Sequence, residues 1–267
     1  MHRLRTGVVY RALNCDNPAA APAGFRFASL NPLITTTTET AQLQRHLFVA
    51  AFTPIILSAI VLCGLVLFGS DRQTLTAITN HRRGWLVSVA KSVTMVAAPE
   101  LLIPLAVVAG VVLWWLRVPI VVAIAPFVSL GAAAVATLIG KQLIGRDRPP
   151  LALRLATENE PSMPSGHTTD GTAFYVTLAL VVATALLTSR TARYILVWLA
   201  AFGSIAIGLS RLELGVHWPT DLVVSWMLAL VITAVVLMAV SFVGRSARFA
   251  KISNRGREPA RSSISRP

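Results

Sequence analysis

Residues 222–240 read LVVSWMLALVITAVVLMAV, 19 positions without a charge. A run of about 20 apolar residues is the length a helix needs to cross a bilayer core. In lipid every backbone N–H and C=O must be satisfied internally, so such a run folds as a helix or joins a closed barrel. Comparable runs occur at roughly 47–69, 99–116, 119–142, 169–188 and 194–209, which with 220–243 make six expected spans. They are too long and too continuous for the alternating strands of a barrel. Only 13% of the residues are charged, where a soluble domain carries about 25%. The expected fold is therefore all-α and polytopic, with one membrane domain over residues 47–243.

Residues 85–98 (WLVSVAKSVTMVAA) are apolar on one helical face and carry Ser88 and Lys91 elsewhere, which suits an interfacial helix before the second span. The two cysteines, Cys15 and Cys63, supply no disulfide framework, and no secretory signal pattern precedes the first span. An even number of spans puts both termini on one side. That side holds 15 basic residues and the acids Asp16, Glu39 and Glu258, whereas the other holds 9 basic and 8 acidic residues. The positive-inside rule then places the polar tails, 1–46 and 244–267, in the cytoplasm of a plasma-membrane protein. Segments 70–98, 143–168 and 210–219 face outward. This asymmetry accounts for the net charge of +13 without a nucleic-acid partner.

Three polar islands share that outer face. Lys141 and Arg148 lie in KQLIGRDRP, Ser165, Gly166 and His167 in PSGH, and Arg211, His217 and Asp221 in SRLELGVHWPTD. Cations beside a bilayer are costly and mark functional sites by default. One lysine and two arginines suit a phosphate ester, because guanidinium forks match its oxygens and ammonium adds a compact charge. Ser165 is placed to cap the fourth span, and Gly166 lets an anion approach its free N–H groups. Pro219 suits the first turn of the last helix. Of two histidines, one can attack phosphorus while the other protonates the leaving oxygen. Asp221 follows His217 by four residues, within reach as its orienter, which favours His217 as nucleophile and His167 as general acid and then base. Spacing alone does not fix these two roles.

Taken singly, each island has a plainer reading. Lys141, Arg146 and Arg148 read as snorkelling anchors, PSGH as a turn and helix cap, and Asp221 as an acid at a helix N-terminus. Only their joint occurrence on one face favours a site. Arg82, Arg83 and Trp85 read as an outer interface anchor, and Glu158, Glu160 and Asp170 as solvated loop or rim charges, with the 150–162 loop a candidate gate. His2, His46 and His81 have no partners at useful spacing, and Glu100 and Glu213 receive no role. No cluster has metal-ligand spacing.

The three islands together resemble the signature of the type 2 phosphatidic acid phosphatase (PAP2) superfamily: K-x6-RP, PSGH, then SR-x5-H-x3-D. All 11 fixed positions match in order and spacing. The resemblance implies a metal-independent and cofactor-free lipid phosphatase. It assigns Lys141, Arg148 and Arg211 to the phosphate, with Ser165 and Gly166 assisting. It also assigns His167 and His217 as the catalytic pair and Asp221 as orienter. The expected substrate is a membrane lipid phosphate, first a polyprenyl diphosphate, then phosphatidic acid or phosphatidylglycerophosphate. A lipid phosphotransferase keeps the phosphohistidine and changes the acceptor. A lipid-phosphate transporter needs the cations but not the histidine pair.

Overall fold

The computed structural model describes residues 38–67 and 70–255, and among these every regular α or β element is a helix. The order is α1 (Thr38–Leu67), α2 (Asp71–Asn80), α3 (Gly84–Met95), α4 (Pro99–Trp115), α5 (Ile120–Ala123), α6 (Ala125–Ile144), α7 (Gly166–Ala185), α8 (Arg190–Glu213) and α9 (Pro219–Arg255). A single 3₁₀ turn, Leu151–Leu153, interrupts the long connection between α6 and α7. The segments 1–37 and 256–267, with most of the two expected tails, Cys15 and His2, lie outside the described residues.

Four helices are long and apolar enough to cross a membrane: Gln42–Gly64 within α1, α6, α8, and Pro219–Gly244 within α9. The pair α3 and α4, bent by 48°, adds a fifth crossing if it acts as one. Helix α7 is 20 residues long but less apolar, since it carries Thr168, Thr169, Thr172, Thr177 and Thr184, all buried. Its place explains this composition. It packs chiefly against α6, α8 and α9, so its polar side chains meet protein instead of lipid. Thr177 Oγ1 donates to Ser129 Oγ on α6 at 2.9 Å and lies 3.4 Å from Thr233 Oγ1 on α9.

The helices differ from the expected spans at their ends. α1 starts at Thr38 and α9 runs to Arg255, so both reach into the stretches expected as tails. The third run is split at Ile124, just before Pro126, into α5 and α6. α8 continues to Glu213, so Arg211 stands on a helix and not on a loop. α3 exists as expected, but it packs against α8 instead of lying on a surface alone.

Apolar transfer does little to join helices in lipid, so close approach at small residues matters more. A Cβ built on Gly208 of α8 falls 2.4 Å from Trp226 Cζ2 on α9. Trp226 is fully buried and donates its indole N–H to Ser204 O at 3.2 Å. Gly203, on the same helix, has nothing within 4 Å of a built Cβ. Gly208→Ala is expected to lower stability by about 1–3 kcal/mol through overpacking, whereas Gly203→Ala is neutral or slightly stabilising. Thermal unfolding of both variants in detergent checks the contrast.

Candidate active site

Each island sits where a helix starts or stops. α6 ends at Gly145, whose left-handed φ of 59° lets its N–H return to Lys141 O at 3.0 Å. That stop leaves Lys141 in the last turn and sends Arg146 and Arg148 into the connection. Lys141 is 9% exposed and its Nζ meets Glu160 Oε2 at 2.5 Å. Arg148 donates from Nε to Glu160 O at 2.6 Å and from Nη1 to Val216 O at 2.9 Å.

Ser165 holds the N-cap position of α7, but its hydroxyl accepts no helical N–H. The expected cap is corrected: the Ser165 hydroxyl accepts from Thr168 Oγ1 at 3.0 Å, and its backbone N–H donates to Ser225 Oγ at 2.8 Å. Ser225 in turn donates to Asp221 O at 2.6 Å, so the start of α7 is fastened to the start of α9. Gly166 opens α7, and the nearest neighbours of a built Cβ there are Thr137 at 3.7 Å and Asp170 at 4.0 Å. His167, in the same first turn, lies in the electrostatic field of Arg211, Glu158, His217 and Lys141.

α8 brings Arg211 to the site, 2% exposed, with Nη1 donating to Thr94 Oγ1 of α3 at 2.7 Å. After Glu213 the chain turns at Gly215, with φ 68°. His217 follows, 1% exposed, and Pro219 begins α9 as expected. His217 Nδ1 is 3.3 Å from Asp221 Oδ2. A carboxylate there accepts, so the ring proton belongs on Nδ1 and Nε2 is left bare. Nε2 lies 3.4 Å from Arg148 Nη1, on the side of the cations. Burial lowers the His217 pKa to about 4; the Asp221 hydrogen bond opposes the fall, and the Arg211 and Arg148 charges add to it. All eight residues singled out from the sequence thus converge on one cluster.

The sequence reading missed Arg146. Its Nη1 donates to Asp221 Oδ1 and to Thr220 Oγ1, both at 2.6 Å, and its Nη2 meets Asp71 Oδ2 at 2.5 Å. Asp71 also accepts from Thr220 N at 3.0 Å. It stands in the first turn of α2, which Ser70 caps through Gln73 N. Arg146 is therefore no membrane anchor: it holds the face of Asp221 turned away from His217. No spacing rule links residue 71 to residue 146, so a pattern search has nothing to detect.

Other expectations are also corrected. Arg82 is not an interface anchor, because its Nε donates to Glu213 O at 2.7 Å and its Nη2 to Leu153 O at 2.8 Å. Glu158 is not a solvated loop charge: its carboxylate binds Arg211 Nη2 and, at 3.3 Å, Arg148 Nη2. Asp170 is buried on α7 and not at a rim, with Oδ1 unpartnered. Glu213 is buried too, and its Oε1 has no partner. Glu160 remains well exposed despite its contact with Lys141. Among the described residues no group of three or more His, Cys, Asp or Glu could hold a metal ion.

A buried imidazole with one bare nitrogen, beside Arg148 and in the field of Arg211, is an arrangement suited to phosphoryl transfer. The PAP2 superfamily profile matches residues 114–245, the stretch that contains all three islands. Residues 114–245 make up a PAP2-superfamily domain. The chain is accordingly a lipid phosphatase, and its apolar helices make it a multi-pass membrane protein. Among curated PAP2-type relatives, phosphatidylglycerophosphatase B of Bacillus subtilis (strain 168) is 26% identical over 163 residues, 61% of this chain and 79% of that protein. Among solved structures, the transmembrane PAP2-type phosphatidylglycerolphosphate phosphatase of Bacillus subtilis superposes with a TM-score of 0.60. It is 24% identical and covers 70% of this chain and 94% of that one, a likeness of fold.

The turn that delivers His217 is tight. A Cβ on Gly215 would lie 2.0 Å from Leu153 O and 2.6 Å from Arg82 Nη2, at a φ that side chains rarely adopt. Gly215→Ala is expected to cost upwards of about 1–2 kcal/mol and to push the 151–155 connection off α8. Faster proteolysis in that connection, together with a lower melting temperature in detergent, checks this.

Proposed function

We propose that this PAP2 protein hydrolyses the terminal phosphate of a membrane lipid without a metal ion, through a phosphohistidine on His217. The observation that carries the reading is the two-sided hold on His217: Nδ1 faces Asp221 while Nε2 faces Arg148. In the first step Nε2 attacks phosphorus and the bond to the lipid oxygen breaks. His167 gives a proton to that oxygen. Lys141, Arg148 and Arg211, with the Ser165 hydroxyl and the Gly166 N–H at the start of α7, offset the charge on the transferring phosphoryl oxygens. In the second step His167 takes a proton from water, the water oxygen attacks phosphorus, and the phosphorus–nitrogen bond breaks to release inorganic phosphate. Asp221 orients His217 and steadies the imidazolium form.

Two substrates are supported by different observations. The charge asymmetry puts both termini in the cytoplasm and the islands at the outer interface, which suits a polyprenyl diphosphate whose head lies there. Counting α3 with α4 as one bent crossing, and α7 as a further one, gives the six spans this topology needs. The names of the relatives favour phosphatidylglycerophosphate instead. Protein purified in detergent is expected to release phosphate from at least one of polyprenyl diphosphate, phosphatidylglycerophosphate and phosphatidic acid, with EDTA present. His217→Ala is expected to cut the rate by at least about 10³-fold while the protein stays folded. Loss of activity in EDTA, restored by one divalent metal, would sink the metal-free mechanism.

The pH profile supplies a second test. The attacking nitrogen must be unprotonated, and a pKa lowered to about 4 keeps it so through the neutral range. Activity dependent on free His217 is therefore retained as pH falls from 7 and is lost only as pH passes through about 4. The acid limb of kcat/KM is expected there; a limb centred near the ordinary histidine value of about 6.5 would contradict the assignment.

A further inference from the structure

The cations expected to hold phosphate are already in contact with carboxylates of their own chain. Glu158 reaches Arg211 with Oε1 and Arg148 with Oε2. Glu160 reaches Lys141. Both acids come from the connection between α6 and α7, and that connection is held in place. Leu155 N donates to Leu214 O at 2.9 Å, Arg154 Nε to Pro149 O at 2.5 Å, and Arg148 Nε to Glu160 O at 2.6 Å. Beside it lies a cavity of about 230 Å³ lined by Arg146, Arg148, Arg154, Glu158 and Glu160. The Glu158 side chain is 25% exposed, whereas those of Arg148 and Arg211 are 4% and 3% exposed. The carboxylate therefore has a way out to water, and the two guanidinium groups do not.

We infer that Glu158 is a specificity-determining residue: it is an internal anion that a substrate phosphate must displace from Arg148 and Arg211, and it excludes phosphodiester headgroups. This rests on the phosphatase reading above and deepens it. The physical reason is charge. Replacing a carboxylate of one negative charge by a phosphodiester, also of one charge, leaves the arginine pair no better neutralised and breaks the contacts of the loop. A terminal phosphate brings about 1.5–2 negative charges at neutral pH and three equivalent oxygens, so its exchange for Glu158 gains attraction in a poorly solvated place. A site beside a bilayer is surrounded by phosphodiester lipids at far higher concentration than any phosphate-ended one, and this exchange separates the two. Burial raises the Glu158 pKa, but Arg211 and Arg148 together outweigh it, and the net shift is downward. The competitor thus stays charged at neutral pH.

The test uses the full chain in detergent with two readouts. In the first, inorganic phosphate is titrated and the melting temperature followed, with no turnover involved. In the second, phosphate release from short-chain phosphatidic acid is measured against added phosphatidylglycerol, a phosphodiester. Glu158→Gln is expected to bind inorganic phosphate roughly tenfold more tightly and to be inhibited by phosphatidylglycerol at roughly tenfold lower concentration than the parent. Glu158→Asp, which keeps the charge on a shorter arm, should shift both in the same direction by less, and it serves if the glutamine variant does not fold. Unchanged phosphate affinity and unchanged phosphodiester inhibition overturn the inference. So does a variant that loses turnover with phosphate binding unchanged, since Glu158 would then act in the chemistry. If the parent protein releases no phosphate from any lipid, the phosphatase reading fails, and the binding readout still decides the role of Glu158.

Discussion

The site depends on one guanidinium group. Arg146 stands just beyond the left-handed residue that ends α6, and its fork spans Asp71 at the start of α2 and Asp221 at the start of α9. Asp221 is fully buried, and a buried carboxylate must be paired to be tolerated. With one oxygen committed to Arg146, the other is left for His217 and for the N–H of Trp218. Trp218 stacks its ring within 5.7 Å of the same guanidinium and donates to Asp147 O. The orientation of the imidazole is thus set by a contact between segments 75 residues apart on either side of Arg146.

Helix ends supply the rest. α6, α7, α8 and α9 all begin or end at the same level, and each turn there places a polar group that lipid would not tolerate deeper in the bilayer. Gly145 and Gly215 make the two left-handed turns that release Arg146 and His217 from their helices. The serine relay from Ser165 through Ser225 to Asp221 ties the helix carrying one histidine to the helix that orients the other. A buried α7 lined with threonines keeps these ends in register from within: Thr177 bonds across to α6, and Thr184 bonds to the carbonyl of Leu180 in its own helix.

Much of this was legible in the sequence. The apolar runs located α1, α4, α6, α8 and α9 because lipid permits few alternatives to a helix at that length. Lys141, Arg148, His167, Arg211, His217 and Asp221 stand out in the sequence as candidates because local spacing carries them, and helix periodicity sets local spacing. Asp71, Arg82, Thr94 and Arg146 were not found, because each acts across a tertiary contact that no period records. Glu158 was misread for the same reason: an acid in a loop looks solvated until the loop is folded onto two arginines.

Local pattern is enough to specify an all-helical membrane protein, the helices that carry the polar islands, and the cations and histidines gathered at their ends. Hydropathy and short-range spacing are local properties, and a chain displays them before it folds. The fold alone settles which oxygen of Asp221 faces His217, which arginine supports that aspartate from behind, and which carboxylate rests on Arg148 and Arg211. Those are choices among partners far apart in the chain. They are made where several helix ends meet in a poorly solvated place, and there every charge must find whichever opposite charge the fold brings within reach.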